Sequence, residues 1–113
     1  MSTSKSTIEY LLEQLAQAGK VSSRKMFGEY AIYCDGKVVA LVCDDKLYVK
    51  PTTIGKKIIG KVTQAPPFPG AKLWYLIPGE QWDDADWLSS LIRACATELP
   101  FPKPKKKKEK RKG

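Results

Sequence analysis

Enzyme chemistry needs a nucleophile, a general base or a set of converging ligands, and this chain supplies few of them. It has no histidine, which removes the usual base near neutral pH and the commonest metal ligand. Its cysteines, Cys34, Cys43 and Cys95, are widely spaced with no Cys-x-x-Cys. Without a histidine to activate a thiol, they read as small buried hydrophobes in a reducing compartment. Carboxylates gather at Asp44-Asp45 and at Asp83, Asp84 and Asp86. A hard-cation site needs several oxygens at defined offsets, and no EF-type loop is present. The first pair therefore reads as a hairpin turn and the second group as a helix N-cap. No Gly-x-Ser-x-Gly elbow, Walker loop or dinucleotide fingerprint occurs. The residues predict a protein that is not an enzyme and that uses no cofactor or metal.

Recognition chemistry is better represented. Arg24, Lys25, Phe27, Tyr30 and Tyr33 mix cations with aromatics, as nucleic-acid platforms do. Aligned on Lys25, however, the RNA-recognition octet fails at Met26, where Gly is wanted, and at Glu29, where an aromatic is wanted. Tyr30 reads better as core, and Arg24 and Lys25 as strand-edge charge. Trp74, Tyr75, Trp82 and Trp87 read as core and rim aromatics.

Charge is unevenly distributed. The 113 residues carry a formal net charge of +8. Lys103, Lys105, Lys106, Lys107, Lys108, Lys110, Arg111 and Lys112 stand against Glu109 alone, whereas residues 1–102 hold twelve basic and eleven acidic groups. The body is nearly neutral, and the excess belongs to a tail. Such a tail attracts polyanions. If about six of its cations neutralise phosphates, the log–log salt slope is roughly −5, with non-specific affinity on the order of 10⁻⁴ to 10⁻⁶ M. An anionic membrane surface attracts the same cations at about 1 kcal/mol each. Lys50, Lys56 and Lys57, with Arg24 and Lys25, are the body residues that could join in nucleic-acid binding.

The elements that must position these groups follow from spacing. No run of about 18 apolar residues exists to span a membrane, and the start lacks the apolar core of a signal peptide. A cytoplasmic protein is expected. Ser6-x-x-Glu9 fits a capping box, followed by an apolar stripe of Ile8, Leu11, Leu12 and Leu15, with Gly19 as C-terminal cap. Val21–Met26 predicts a strand, with Gly28 marking a bend, bulge or close approach. Glu29–Cys34 and Lys37–Cys43 flank Asp35-Gly36, the strongest short hairpin signal. A plain two-residue turn sets Ile32 opposite Val39 and Tyr30 opposite Leu41. Tyr30, Ile32, Val39, Leu41 and Cys43 then share one bulky face, with Ala31, Val38, Ala40 and Val42 on the other. Asp44-Asp45 turns the chain into a fourth strand through Leu47, Tyr48 and Val49, ended by Pro51. Thr52 or Thr53 caps a short helix to about Gly60, and Lys61–Gly70 is irregular because of Pro66, Pro67 and Pro69. Ala71–Ile77 reads as a fifth strand. A last helix, capped by Asp83 or Asp84, carries Leu88, Leu91, Ile92, Cys95 and Leu99.

The expected fold is α+β: an antiparallel β-meander with flanking helices, in the order α-β-β-β-β-α-β-α. Residues 1–100 form one domain, and 101–113 a disordered basic tail.

That order and the words in it resemble the N-terminal domain of the TfoX/Sxy family of bacterial competence regulators. The matching segments are Arg24-Lys25-Met26-Phe27-Gly28, Tyr30-Ala31-Ile32-Tyr33, Asp35-Gly36-Lys37, Ala40-Leu41-Val42, Asp44-Asp45-Lys46-Leu47-Tyr48-Val49-Lys50, Pro67-Phe68 and Trp74-Tyr75-Leu76-Ile77-Pro78. The likeness covers about residues 8–99. Glu29 stands where the family usually has a second Gly, and a Lys-rich tail stands where longer members carry a helical domain. Those longer members act on transcription of DNA-uptake genes with the cyclic-AMP receptor protein. The resemblance implies a regulatory, protein-interaction module, with weak non-specific nucleic-acid attraction through the tail. The second reading is a protein that binds nucleic acid directly through tail and surface lysines together.

Overall fold

Two Asp-led turns hold the centre of the molecule. Asp35 and Gly36 have φ of 52° and 83°, and Asp44 and Asp45 have φ of 54° and 57°. Both pairs take the positive φ that a tight hairpin turn of the primed type requires. The computed structural model describes residues 3–26, 29–61 and 63–100. The bend, bulge or close approach expected at Gly28 and the basic tail, Lys103 to Lys112, fall outside the described residues.

The chain runs α1 (Lys5–Gln14), β1 (Val21–Met26), β2 (Glu29–Cys34), β3 (Lys37–Cys43), β4 (Lys46–Val49), α2 (Thr53–Ile59), β5 (Thr63–Ala65), β6 (Trp74–Ile77), α3 (Gly79–Trp82) and α4 (Ala85–Glu98). The strands form one antiparallel sheet in the order β1-β2-β3-β4-β6-β5. The α+β class and the four-strand meander agree with the sequence. Two elements are additional. The stretch expected to be irregular contains β5, which pairs with β6 from Thr63↔Leu76 to Ala65↔Trp74. Three residues ahead of Pro66 have no strand signal of their own, so the neighbouring strand supplies the pairing. The single turn of α3 follows Pro78.

The β2–β3 register differs from expectation. Cys34 faces Lys37 and Tyr33 faces Val38, but Ile32 then faces Ala40 and Tyr30 faces Val42. Val39 is the extra residue of a β-bulge. The bulge sets Val39 and Ala40 against one residue of β2, and both are fully buried. Past it, the faces are exchanged. Tyr30, Ile32, Ala40 and Val42 look toward the helices, while Leu41 and Cys43 turn to the other side with Ala31.

On the helix side, Ile32, Val42, Leu47 and Ile77 join Ile8, Leu11, Leu15, Leu88, Leu91 and Ile92 in one core. The spacing of those helical residues puts them on single faces of α1 and α4. Across the opposite face runs a row of directly opposed residues, Ala31, Leu41, Tyr48 and Leu76.

Helix ends also depart from the sequence reading in part. Ser6 lies inside α1, whose N-cap is Ser4, and Ser4 makes no capping bond of its own. The expected Ser6–Glu9 box does not form because the helix starts two residues earlier, where Asp45 accepts the amide of the N-cap residue Ser4. α1 ends with Leu15 as its C-cap, so Gly19 lies beyond it. In contrast, Thr52 caps α2 and Asp84 caps α4 through their side chains.

Candidate functional site

The structure separates the cations that the sequence grouped. Arg24 and Lys25 are exposed on β1, at one edge of the sheet. Lys50 lies just past β4, two intervening strands away, which is about 14 Å at ordinary strand spacing. Lys56 and Lys57 occupy the last turn of α2. Lys50 lines a shallow hollow of about 120 Å³ with Lys37, Val38, Leu99 and Pro100, where the chain leads toward residues 101–113. The structure thus brings Lys50 to the root of the basic segment and leaves Arg24 and Lys25 at a distant edge.

Lys37 was not singled out by the sequence. Its Nζ donates to the Ala96 carbonyl at 2.7 Å, tying the β2–β3 hairpin to the last turn of α4. A cation at a helix C-terminus meets the negative end of the dipole. The contact joins residues 59 apart, so no local pattern announces it.

The carboxylates are occupied in structural roles. Asp45 accepts from the Ser4 amide at 2.9 Å and from the Thr7 hydroxyl at 2.8 Å. These bonds, the Ser4 amide first, hold its pKa below the usual 3.8. Asp84 accepts from the Trp87 amide at 3.1 Å, and Asp83 accepts from the Tyr10 hydroxyl. Glu29 accepts from the Thr3 hydroxyl at 2.6 Å and the Asp44 amide at 3.1 Å. Glu98 accepts from the Ile54 and Thr53 amides at 2.9 and 2.8 Å, which lowers its pKa. Glu29 and Glu98 carried no sequence signal, because their partners lie on other elements. Among the described residues, no group of three or more His, Cys, Asp or Glu is placed to hold a metal ion.

Cys34, Cys43 and Cys95 are buried and free. Burial pushes all three thiols up in pKa, Cys43 to about 11. Such thiols carry little thiolate at neutral pH. No helix among the described residues is long and apolar enough to cross a membrane.

What the sequence did not show is a groove. On the sheet face away from the core, Met26, Glu29, Leu41, Cys43 and Phe68 line an almost wholly apolar cavity of about 480 Å³. Phe68 and Met26 remain 53% and 40% exposed. The groove depends on the bulge that turns Leu41 and Cys43 to this face, and on Phe68 from the segment after β5. Neither is visible in local spacing. The arrangement offers apolar surface beside an exposed polar strand edge, which suits recognition of another molecule.

Comparison with known proteins agrees with this architecture. The model of the TfoX N-terminal domain matches residues 13–99. The chain is similar to a protein of Spirochaeta aurantia described as an uncharacterised 12.7 kDa protein in the trpE 5′ region, 36% identical over 103 residues that make up 91% of this chain and 89% of the relative. By the family match over most of its folded body, the chain belongs to the TfoX N-terminal domain family.

Proposed function

We propose that the protein is a cytoplasmic, non-enzymatic regulatory module whose body recognises a protein partner and whose basic tail adds weak attraction to nucleic acid. A link to transcription of DNA-uptake genes is part of this proposal. Family membership supports the regulatory role. The observation that carries the partner-binding role is the open apolar groove between Met26 and Phe68, beside an edge strand with no neighbour on its outer side among the described residues. The tail is assigned the nucleic acid because the body's charge is balanced.

Deleting residues 103–113 and repeating a gel shift at 50 and 200 mM salt, concentrations spanning the steep range of counterion release, separates the two parts. The full chain is expected to retard DNA at the lower salt only, and the deletion at neither. Binding that survives the deletion would instead favour direct nucleic-acid recognition by the body. One observation speaks for that second reading: Lys50 stands beside Pro100, at the root of the tail. Sequence-dependent affinity lost on Lys50→Ala would decide for it.

A further inference from the structure

We infer that the outer edge of β1 is a docking site for an extended acidic segment of a partner protein, which adds as a seventh, antiparallel strand with two adjacent carboxylates opposite Arg24 and Lys25 and a large apolar side chain on Met26. The inference rests on the proposed partner-binding role and names its partner chemistry.

Three observations meet at this strand. β1 ends the sheet and pairs on one side with β2, from Val21↔Cys34 to Met26↔Glu29. A strand in that position presents unpaired amides and carbonyls on its other side, a ready template for strand addition. It is also six residues long, twice the three of β5 at the opposite edge. Next, Arg24 and Lys25 are exposed and have no ion-pair or hydrogen-bond partner among the described residues, and no acidic residue lies in β1 itself. Finally, Met26, 40% exposed, stands at the mouth of the apolar groove.

Alternation of side chains fixes the pattern that fits. Arg24 pairs with Ala31 and so lies on the groove face with Met26, while Lys25 lies on the core side with Tyr30. An added strand therefore meets one cation on each face in consecutive positions. Both are satisfied by two consecutive carboxylates, not by an alternating acidic repeat. The residue opposite Met26 is two places from the one opposite Arg24 and shares its face, so it covers the exposed thioether. Antiparallel pairing continues the geometry of the whole sheet and is the more stable per residue. Read from its own N-terminus, the incoming segment is apolar-acidic-acidic, followed by three residues opposite Ser23, Ser22 and Val21. A second copy of β1 fits less well, because it brings further cations and no acid to the same edge.

The probe is the end-capped hexapeptide Leu-Glu-Glu-Thr-Thr-Val, titrated into the full chain and read by amide chemical shifts. Saturable shifts at residues 22–26 are expected. A scrambled peptide of equal charge should leave those amides unmoved and report only what the tail attracts. The same peptide N-methylated at alternate amides should not bind, because strand addition needs its backbone donors. The variant Arg24→Glu/Lys25→Glu, whose two positions are exposed, should lose about tenfold in affinity and prefer the Lys-Lys version of the peptide. Retained preference for the acidic peptide in that variant would overturn the inference, as would saturable binding with no change at β1. A concentration-dependent dimer with β1 amides already protected from exchange would assign the edge to a second copy and also overturn it. Capture of a cellular partner by this variant as efficiently as by the unaltered chain would overturn the inference alone and leave the interaction-module reading standing.

Discussion

The Asp45 carboxylate accepts the Ser4 amide at 2.9 Å, so the start of α1 is capped by a residue 41 positions away in the β3–β4 turn. Thr3 completes the clasp, donating to Glu29 and, at 3.0 Å, to the Val42 carbonyl. A helix that would otherwise leave its Ser4 amide unpaired is thereby fixed to the sheet.

This clasp should be read out by acid. Its hydrogen bonds depress the Asp45 pKa from 3.8. A depressed carboxylate contributes stability that is present above the unfolded value and is lost as pH falls through the folded one. Asp45→Ala should therefore melt several degrees lower at pH 7. The gap to the unaltered protein should begin to close as pH falls below 3.8. Thermal melts at stepped pH measure it, and a constant gap would remove the electrostatic account.

Gly55 sits where α2 meets α4. A Cβ there would lie 2.6 Å from the Thr52 hydroxyl oxygen and 3.0 Å from the Cys95 sulfur. Gly55→Ala should cost about 1–3 kcal/mol through overpacking. The cost should be smaller in a Thr52→Ala background, where the nearest atom is gone. A denaturant double-mutant cycle gives that coupling.

The bulge makes a sharp contrast between two neighbouring strands. Ile32→Ala should lose about 2–5 kcal/mol, since Ile32 is fully buried in the main core. Leu41→Ala should lose well under half as much, because Leu41 lines the open groove. With an unbulged register both would face the core and cost alike. Urea denaturation of the two variants distinguishes the registers.

The thiols should be silent in the native state. With Cys43 raised to about 11 by burial and then by Glu29, and Cys34 and Cys95 also raised, a disulfide reagent at pH 8 should react with all three only as the chain unfolds. For an acid whose folded pKa is raised, stability is complete below the unfolded value and is lost as pH rises toward the folded one. The protein should therefore weaken between the ordinary thiol value of 9.0 and about 11. Fast native-state labelling of any one thiol would contradict its burial.

Much of the fold was legible in the chain because it is written in local terms. Asp35-Gly36 and Asp44-Asp45 specify turns through their own φ preferences, and Thr52 and Asp84 cap the helices that follow them. The stripes of α1 and α4 give the core face directly. These signals depend on residues within about four positions of one another, and no distant partner alters them.

The tertiary structure decided whatever depends on pairing across the fold. Val39 becomes a bulge because burying it with Ala40 and continuing the ladder to β4 outweighs a simple register. β5 exists because β6 offers it hydrogen bonds, and α1 starts where Asp45 reaches it. The groove at Leu41 and the open edge at Arg24 and Lys25 follow from those choices. Sequence spacing records what each residue prefers alone, whereas a binding surface is set by which preferences packing overrides.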